Sequence, residues 1–380
     1  MGAFETGKYR NLFAEIGKSQ EEIDRKLDEA FKTFFYDENE RIYHENEEGL
    51  GYLVDTGNND ARTEGMSYGM MMCVQRDMKK EFDAIWGWAH RYMYMTEGHN
   101  EGYFAWSCGL DGKKNANGPA PDGEEFFAMA LFFASHRWGD GEGIYEYSAW
   151  AKQILKACLH KGENGRPGAP MWNRDNGQIL FVPGIGFTDP SYHLPHFYEL
   201  FALWADEEDR EFWKRAASES RKFLAKTCHP ETGLNPEYAH FDGSPMAEKL
   251  PWGGEHGDFY SDAYRTPANI GLDAVWFGDD EGQLSVPLRM MDFFGTDLEA
   301  VRCVYKVDGT ALEQPVLHPL GLLAGLAQGA LAVGDAESET AKRFVEWFWN
   351  QPMRKGVRRY YDNCLYLFAI LALSGNYRIW

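Results

Sequence analysis

Helical segments of two kinds alternate along this chain, and that alternation restricts its fold more than any other feature. A period near 3.6 residues predicts helices at 20–35, 64–78, 80–95, 122–138, 146–159, 190–205, 207–227, 260–276, 285–295, 318–333, 337–350 and 359–374. Segments beginning near 20, 80, 146, 207 and 337 are two-faced, as in "EEIDRKLDEAFKTFF" and "EEDREFWKRAASESRKFLAK", with charge along one side. Those beginning near 64, 122, 190, 260, 318 and 359 are apolar or small nearly all round. A helix that is apolar on every side has no solvent face and belongs inside. Six inner helices alternating with six outer ones, joined as antiparallel hairpins, give an (α/α)6 barrel whose inner helices all run the same way. The expected fold class is all-α, with residues 1–380 forming one catalytic barrel domain. No strand-period run competes, and "ENGRPGAP" and "SPMAEKLPWGGEHGD" read as loops.

A barrel of this kind needs a large core, and 380 residues of 44% hydrophobic composition supply one. Aromatic residues make up 15% of the chain, with 25 Phe, 20 Tyr and 13 Trp, so rings remain for a surface. The formal net charge of −21, with no basic cluster longer than "RKGVRR", argues against nucleic acid and anionic membranes as partners. The N-terminal "MGAFETGKYRNLFAEIG" has no apolar run behind a basic start, and no stretch of about 18 apolar residues occurs anywhere. The expectation is therefore a cytoplasmic protein without a membrane span, working as a monomer. Cys73, Cys108, Cys158, Cys228, Cys303 and Cys364 are scattered without CxxC pairs, mostly in apolar helical patterns, and read as free thiols.

If all inner helices run one way, their N-termini open on one rim. The residues there are Glu64 in "RTEGMSYGMMM", Asp122 in "APDGEEFFAMALFFA", Tyr192 and His193 in "DPSYHLPHFYELF", Asp262 in "YSDAYRTPANIGLD", His318 in "LHPLGLLAG", and Tyr360, Tyr361 and Asp362 in "RRYYDNCLYLFA". Acids in a first helical turn are ordinary, because they cap the helix and complement its dipole. Here they are nearly the only polar groups on their helices, and small residues flank them. Glycoside hydrolysis is the chemistry that uses two or three carboxylates at the mouth of an aromatic-rich barrel. One acid protonates the acetal oxygen while a second carboxylate activates water or attacks the sugar. Trp106 in "YFAWSC", Trp172 in "PMWNRD" and Trp252 in "LPWGGE" lie in loops or near helix ends, where sugar faces could stack, although each alone also fits half-buried packing.

The segments "RTEGMSYGM", "PAPDGEEFF", "FTDPSYHLPHF" and "YSDAYR" resemble, in order, the signatures of family 8 of the glycoside hydrolases, spread over residues 50 to 375. Further segments, "DTGN", "YMTEG", "FFASHRWGDG", "VLHP" and "RRYYDNCLYLFA", are similar to the exo-acting members that release xylose from the reducing end of xylooligosaccharides. The resemblance implies an inverting mechanism on an (α/α)6 barrel, with no metal and no cofactor. Residue by residue it implies Glu64 as general acid, Asp262 as general base, Asp122 as the acid that holds and distorts the sugar, and Tyr192 as the group positioning water. It further implies an arginine beside the base at Arg265 and a reducing-end sugar contact at His318; together with the rim residues Trp106 and Tyr360, these are the expected substrate contacts.

A general acid must keep its proton at working pH. The helix N-terminus favours the Glu64 anion, whereas burial against Met66 and Met70 and the nearby Asp122 carboxylate oppose it, and the second effect is expected to win. Arg265, three residues after Asp262 on a helix, is expected to help keep the base ionised. Three other readings compete. An endo-acting relative would cut xylan, β-glucan or chitosan. A metal hydrolase would use His193, His196 and Glu199 of "HLPHFYE", and a non-catalytic barrel would bind sugar without cutting it.

Overall fold

The computed structural model describes every residue except 337. Among the described residues, twelve principal helices follow one another: α1 (Gln20–Tyr36), α2 (Thr63–Gln75), α3 (Lys79–Trp88), α4 (Pro121–Trp138), α5 (Tyr147–His160), α6 (Pro195–Trp204), α7 (Arg210–Thr227), α8 (Arg265–Trp276), α9 (Val286–Phe294), α10 (Pro319–Gly329), α11 (Glu339–Trp349) and α12 (Arg359–Leu373). The even-numbered helices are the inner ones. Each packs against the next, and α12 closes the ring on α2. Every residue of α2 is buried except Glu64, and every residue of α12 is buried except Arg359. These are the segments whose sequences offer no polar face.

The odd-numbered helices bury one stripe each against this ring. In α1 that stripe is Ile23, Leu27, Ala30, Phe31, Phe34 and Phe35, the i, i+4, i+7 spacing of an amphipathic helix. A capping box starts the helix: the Ser19 hydroxyl accepts from the Glu22 N–H while the Glu22 side chain accepts from the Ser19 N–H. The six-plus-six alternation expected from the sequence is therefore the architecture observed. All six cysteines are free thiols, and among the described residues no helix is long and apolar enough to cross a membrane.

Several helix ends differ from the sequence reading. The 190–205 segment divides into a 3-10 turn, Pro190–Tyr192, and α6, which begins only at Pro195. Proline disfavours the helical conformation in the residue before it, and Leu194 is accordingly non-helical at φ −118° and ψ 68°. The 260–276 segment likewise opens with a 3-10 turn, Ser261–Tyr264, before α8. The 80–95 segment ends in a π-turn, Ala89–Met93, and the 318–333 segment in a 3-10 turn, Ala330–Ala332.

Short strands also occur between the helices, which the sequence reading left as loops. Asp60–Arg62 (β1) pairs antiparallel with Ser107–Gly109 (β2), bringing Trp106 beside the start of α2. There the Thr63 N–H donates to the Trp106 carbonyl at 3.0 Å. Asp258–Phe259 (β3), Cys303–Lys306 (β4) and Ala311–Pro315 (β5) form a three-stranded antiparallel sheet that delivers the chain to Asp262 on one side and to His318 on the other.

Candidate active site

Arg265 opens α8 and is almost fully buried, so its charge must be met by protein groups. Its Nη1 donates to Asp122 Oδ2 at 2.9 Å, to Glu64 Oε2 at 3.2 Å and to the Tyr68 hydroxyl at 2.8 Å. Its Nη2 pairs with Asp262 Oδ1 at 3.2 Å and lies 3.9 Å from Asp189 Oδ2. One guanidinium thus gathers carboxylates from α2, from α4 and from the 3-10 turns before α6 and α8. Glu64 and Asp262 sit on different nitrogens of the fork.

Glu64 is the first-turn acid of an otherwise buried helix, and its Oε1 accepts from the Tyr360 hydroxyl at 2.9 Å. Burial pushes its carboxyl up to about 7; Arg265 opposes the shift, and the Asp122 and Asp262 carboxylates add to it. The sequence argument anticipated this balance of burial and like charge over helix dipole. Asp122 is raised for the same reason, burial, against the pull of Arg265, and its Oδ1 accepts from the Gly123 N–H at 2.9 Å. Asp262 remains partly open to the cleft. The residue before it, Ser261, adopts φ 43°, a left-handed conformation uncommon for a side-chain-bearing residue.

Above this cluster opens a cleft of about 520 Å³, lined by Glu64, Asp262, Tyr192, Trp106, Phe181, Tyr238 and Trp252 among others. Trp106 and Trp252 are 38% and 51% exposed, so their rings are free to stack on a ligand. The Arg62 guanidinium lies 5.2 Å from the Trp106 ring centre, and Trp252 stacks on Phe181 at 6.0 Å. Tyr192 faces the same space with Arg265 5.5 Å from its ring.

Trp172 does not belong to this wall. It is buried, with its ring edge-on to Trp213 at 5.0 Å and to Tyr198 at 5.8 Å. The sequence reading placed it in a loop, but it lies in a two-residue strand, Trp172–Asn173, which turns the ring inward. The proposed metal set also comes apart. His193 bonds Thr188 Oγ1 at 3.0 Å and Ser220 Oγ at 2.9 Å, His196 packs edge-on to Trp276 at 5.3 Å, and Glu199 accepts from Arg221 at 2.6 Å. The three side chains engage separate partners, which overturns that alternative. Outside the cleft, His160, Glu208 and Asp209 place potential ligand atoms within 4.8 Å of one another, but His160 is already bonded to Asp209 and Glu163.

Tyr360, expected as a substrate contact, is buried with its hydroxyl on Glu64. His318 immediately precedes α10, makes no side-chain cap to it, and packs edge-on to Tyr361 at 5.0 Å. The Tyr361 hydroxyl donates to the Ser261 carbonyl at 3.1 Å, tying the His318 side of the rim to the residue beside Asp262.

Five residues escaped the sequence reading. Asp189 is buried, accepts from the Ser191 N–H at 2.7 Å, and is raised well above the carboxylate range by burial and by Asp262. Glu124 and Glu125 are buried and raised, by burial first. Glu124 accepts from the Phe104 N–H at 2.9 Å and Glu125 from the Tyr198 hydroxyl. Phe181 and Tyr238 complete the aromatic wall with ring centres 4.3 Å apart. For the two glutamates a signal existed: a helix with no solvent face has nowhere to expose "EE".

A carboxyl raised to about 7 and a second acid lining the same aromatic cleft are the elements of an acid/base glycosidase. The family model for glycosyl hydrolases family 8 matches residues 19–374. The reducing end xylose-releasing exo-oligoxylanase of Halalkalibacterium halodurans is 57% identical, covering 100% of this chain and 96% of the relative. The enzyme of that name from Bifidobacterium adolescentis is 54% identical, covering 97% of this chain and 96% of the relative. The structure of Rex8A from Paenibacillus barcinonensis, complexed with xylose, superposes with a TM-score of 0.96 at 53% identity, covering 100% of this chain and 99% of that one. The chain belongs to family 8 of the glycoside hydrolases.

Proposed function

We propose that this protein is an inverting glycosidase that releases xylose from the reducing end of β-1,4-xylooligosaccharides of three or more units. The observation that carries the reading is the Glu64–Arg265–Asp262 arrangement. A carboxyl raised to about 7 and a second acid open to the cleft are bound by separate nitrogens of one guanidinium, at the mouth of an aromatic cleft. The relatives that carry this activity by name, at 54% and 57% identity over nearly the full chain, support the choice of substrate.

In this reading Glu64 donates its proton to the leaving glycosidic oxygen. Asp262 takes a proton from a water that attacks the anomeric carbon from the opposite face. Inversion requires roughly 6.5 to 9.5 Å between the two carboxyls so that the water fits between base and sugar. Binding by separate nitrogens of Arg265 keeps them from sharing one position. Asp122, locked by Arg265 and the Gly123 N–H, holds the ring at the cleavage point, and the Tyr192 hydroxyl helps to fix the water. Tyr360 assists by holding the Glu64 carboxyl in place. His318 reads the free anomeric hydroxyl, so that one sugar lies beyond the cut. The protein acts as a cytoplasmic monomer, with the whole chain forming one catalytic barrel.

Hydrolysis of xylotriose followed by proton NMR tests the reading. The newly formed reducing end should appear first as the α-anomer, and xylotriitol, whose reducing end is blocked, should be hydrolysed far more slowly. A β-anomeric first product, or equal rates on the two substrates, would sink it.

A further inference from the structure

The rim contains one more built constellation, on the side of His318 and away from the acid/base pair. Asp362, in the first turn of α12, is fully buried and receives three donors. Its Oδ1 accepts from the Gly321 N–H at 2.7 Å. Its Oδ2 is hydrogen-bonded to His318 Nδ1 at 2.9 Å and accepts from Arg354 Nη1. The same Arg354 nitrogen donates to the Leu317 carbonyl at 2.7 Å. The next residue of α12, Asn363, also buried, accepts from the Arg354 N–H at 2.8 Å and donates to the Arg354 carbonyl at 2.9 Å. Two consecutive side chains of one inner helix therefore grip both segments that flank the rim here, 317–321 and 354.

The geometry points to Asp362 and Arg354 as positioning residues for reducing-end recognition: together they fix the ring orientation and tautomer of His318. This rests on the proposed role of His318 in reading the anomeric hydroxyl. An imidazole can present either nitrogen, and the hydrogen bond made by one decides what the other offers. With the Nδ1 proton donated to Asp362, the remaining nitrogen, Nε2, has no protein partner among the described residues and is left for a sugar hydroxyl. Tyr361 supports one side of the ring. The buried carboxylate would be costly without a cation, and Arg354 supplies one while holding the Leu317 backbone, so ring and loop are set by one ionic contact. Because a single nitrogen of Arg354 makes both contacts, a lysine ammonium can replace it there, unlike at sites that need the planar fork.

The test compares kcat/KM on xylotriose with that on xylotriitol for wild type, His318→Ala, Asp362→Asn, Arg354→Met and Arg354→Lys, each checked for folding by thermal melting. Wild type should strongly favour xylotriose and His318→Ala should lose that preference; failure of either would indict the reading of His318 itself. Given both, Asp362→Asn and Arg354→Met should lower the xylotriose preference by about tenfold or more, through KM on xylotriose, while Arg354→Lys restores most of it. If Asp362→Asn does not fold, the half-buried Arg354 still decides the matter. A folded Arg354→Met with wild-type preference overturns the inference, and so does an Arg354→Lys variant no better than Arg354→Met. A general structural role would lower the rates on both substrates alike, without moving their ratio.

Discussion

Glu64 must hold a proton near neutral pH while a guanidinium 3.2 Å away favours its loss. Burial decides the contest, with the carboxylates of Asp122 and Asp262 on its side, and the carboxyl rises to about 7. Arg265 therefore does more than bridge acid and base. It prevents the acid from rising so far that proton donation becomes unfavourable, and it keeps several carboxylates from repelling one another in a nearly dry site. The sign of its effect gives a test. In wild type, kcat/KM should fall as pH rises through about 7, because that limb reports the free enzyme's proton donor. Replacing Arg265 with Met removes the largest influence that lowers Glu64, leaving only the hydrogen bond from Tyr360, so the limb should move to higher pH even as kcat drops. Glu64→Gln should lower kcat by roughly 10²-fold or more and abolish the limb. A limb that moved down in Arg265→Met, or that survived in Glu64→Gln, would show that another group supplies the proton.

At the scale of elements, the sequence was informative wherever burial alone decides conformation. The all-round apolar runs of α2, α4 and α12 could only be inner helices, and Glu64, Asp122 and Asp262 could be grouped because the inner helices share one direction. What stayed hidden depended on contacts between elements. An acid that caps a turn looks the same in sequence whether it stands in water or lies under another chain, so Asp189 was passed over, whereas the Glu124–Glu125 pair did carry a signal in lying on a helix without a solvent face. Strands of two to five residues are too short for alternation to show, which is why Trp172 was placed on a surface it does not reach. Helix–helix distance was also hidden. A Cβ added to Gly325 of α10 would come 2.1 Å from the Tyr264 carbonyl, and one on Gly271 of α8 would come 2.2 Å from the Gln328 carbonyl. These two inner helices thus touch backbone to backbone, immediately beside Arg265. Gly325→Ala should destabilise the fold by about 1–3 kcal/mol, the usual cost of overpacking. Because the displaced carbonyl belongs to the residue before Arg265, activity at temperatures well below melting should fall further than that loss of stability explains. Melting curves set beside kcat would reveal a variant that is merely less stable, and that result would remove the proposed mechanical link between α10 and the site.

The whole molecule gathers titratable groups whose burial pulls stability in opposite directions with pH. His193 and His196 are buried and lowered to about 3. The unfolded chain takes up protons that the folded one refuses, so their contribution is lost as pH falls below the ordinary histidine value of about 6.5. Glu64, Glu124, Glu125 and Asp189 behave oppositely, all raised by burial. The folded protein keeps protons that the unfolded chain has released, so the stability they confer is full below the ordinary carboxylate range and is lost as pH rises through their folded values. Below about 6.5 the two sets oppose each other. Above it the histidines fall silent and only the carboxyls act, each costing up to about 1.4 kcal/mol per pH unit until it ionises. The net charge of −21 at neutral pH adds self-repulsion in the same direction. Melting temperature should therefore decline steadily between about pH 6.5 and 8.5. Glu125→Gln, which keeps a neutral side chain against the Tyr198 hydroxyl, should flatten that decline because it removes one proton from the balance. Differential scanning calorimetry across the range, at constant ionic strength, reads both effects. A melting temperature that rose from pH 6.5 to 8.5 would mean that these carboxyls are ionised in the folded protein, and the dry barrel wall behind Glu64 could not then be what holds its proton.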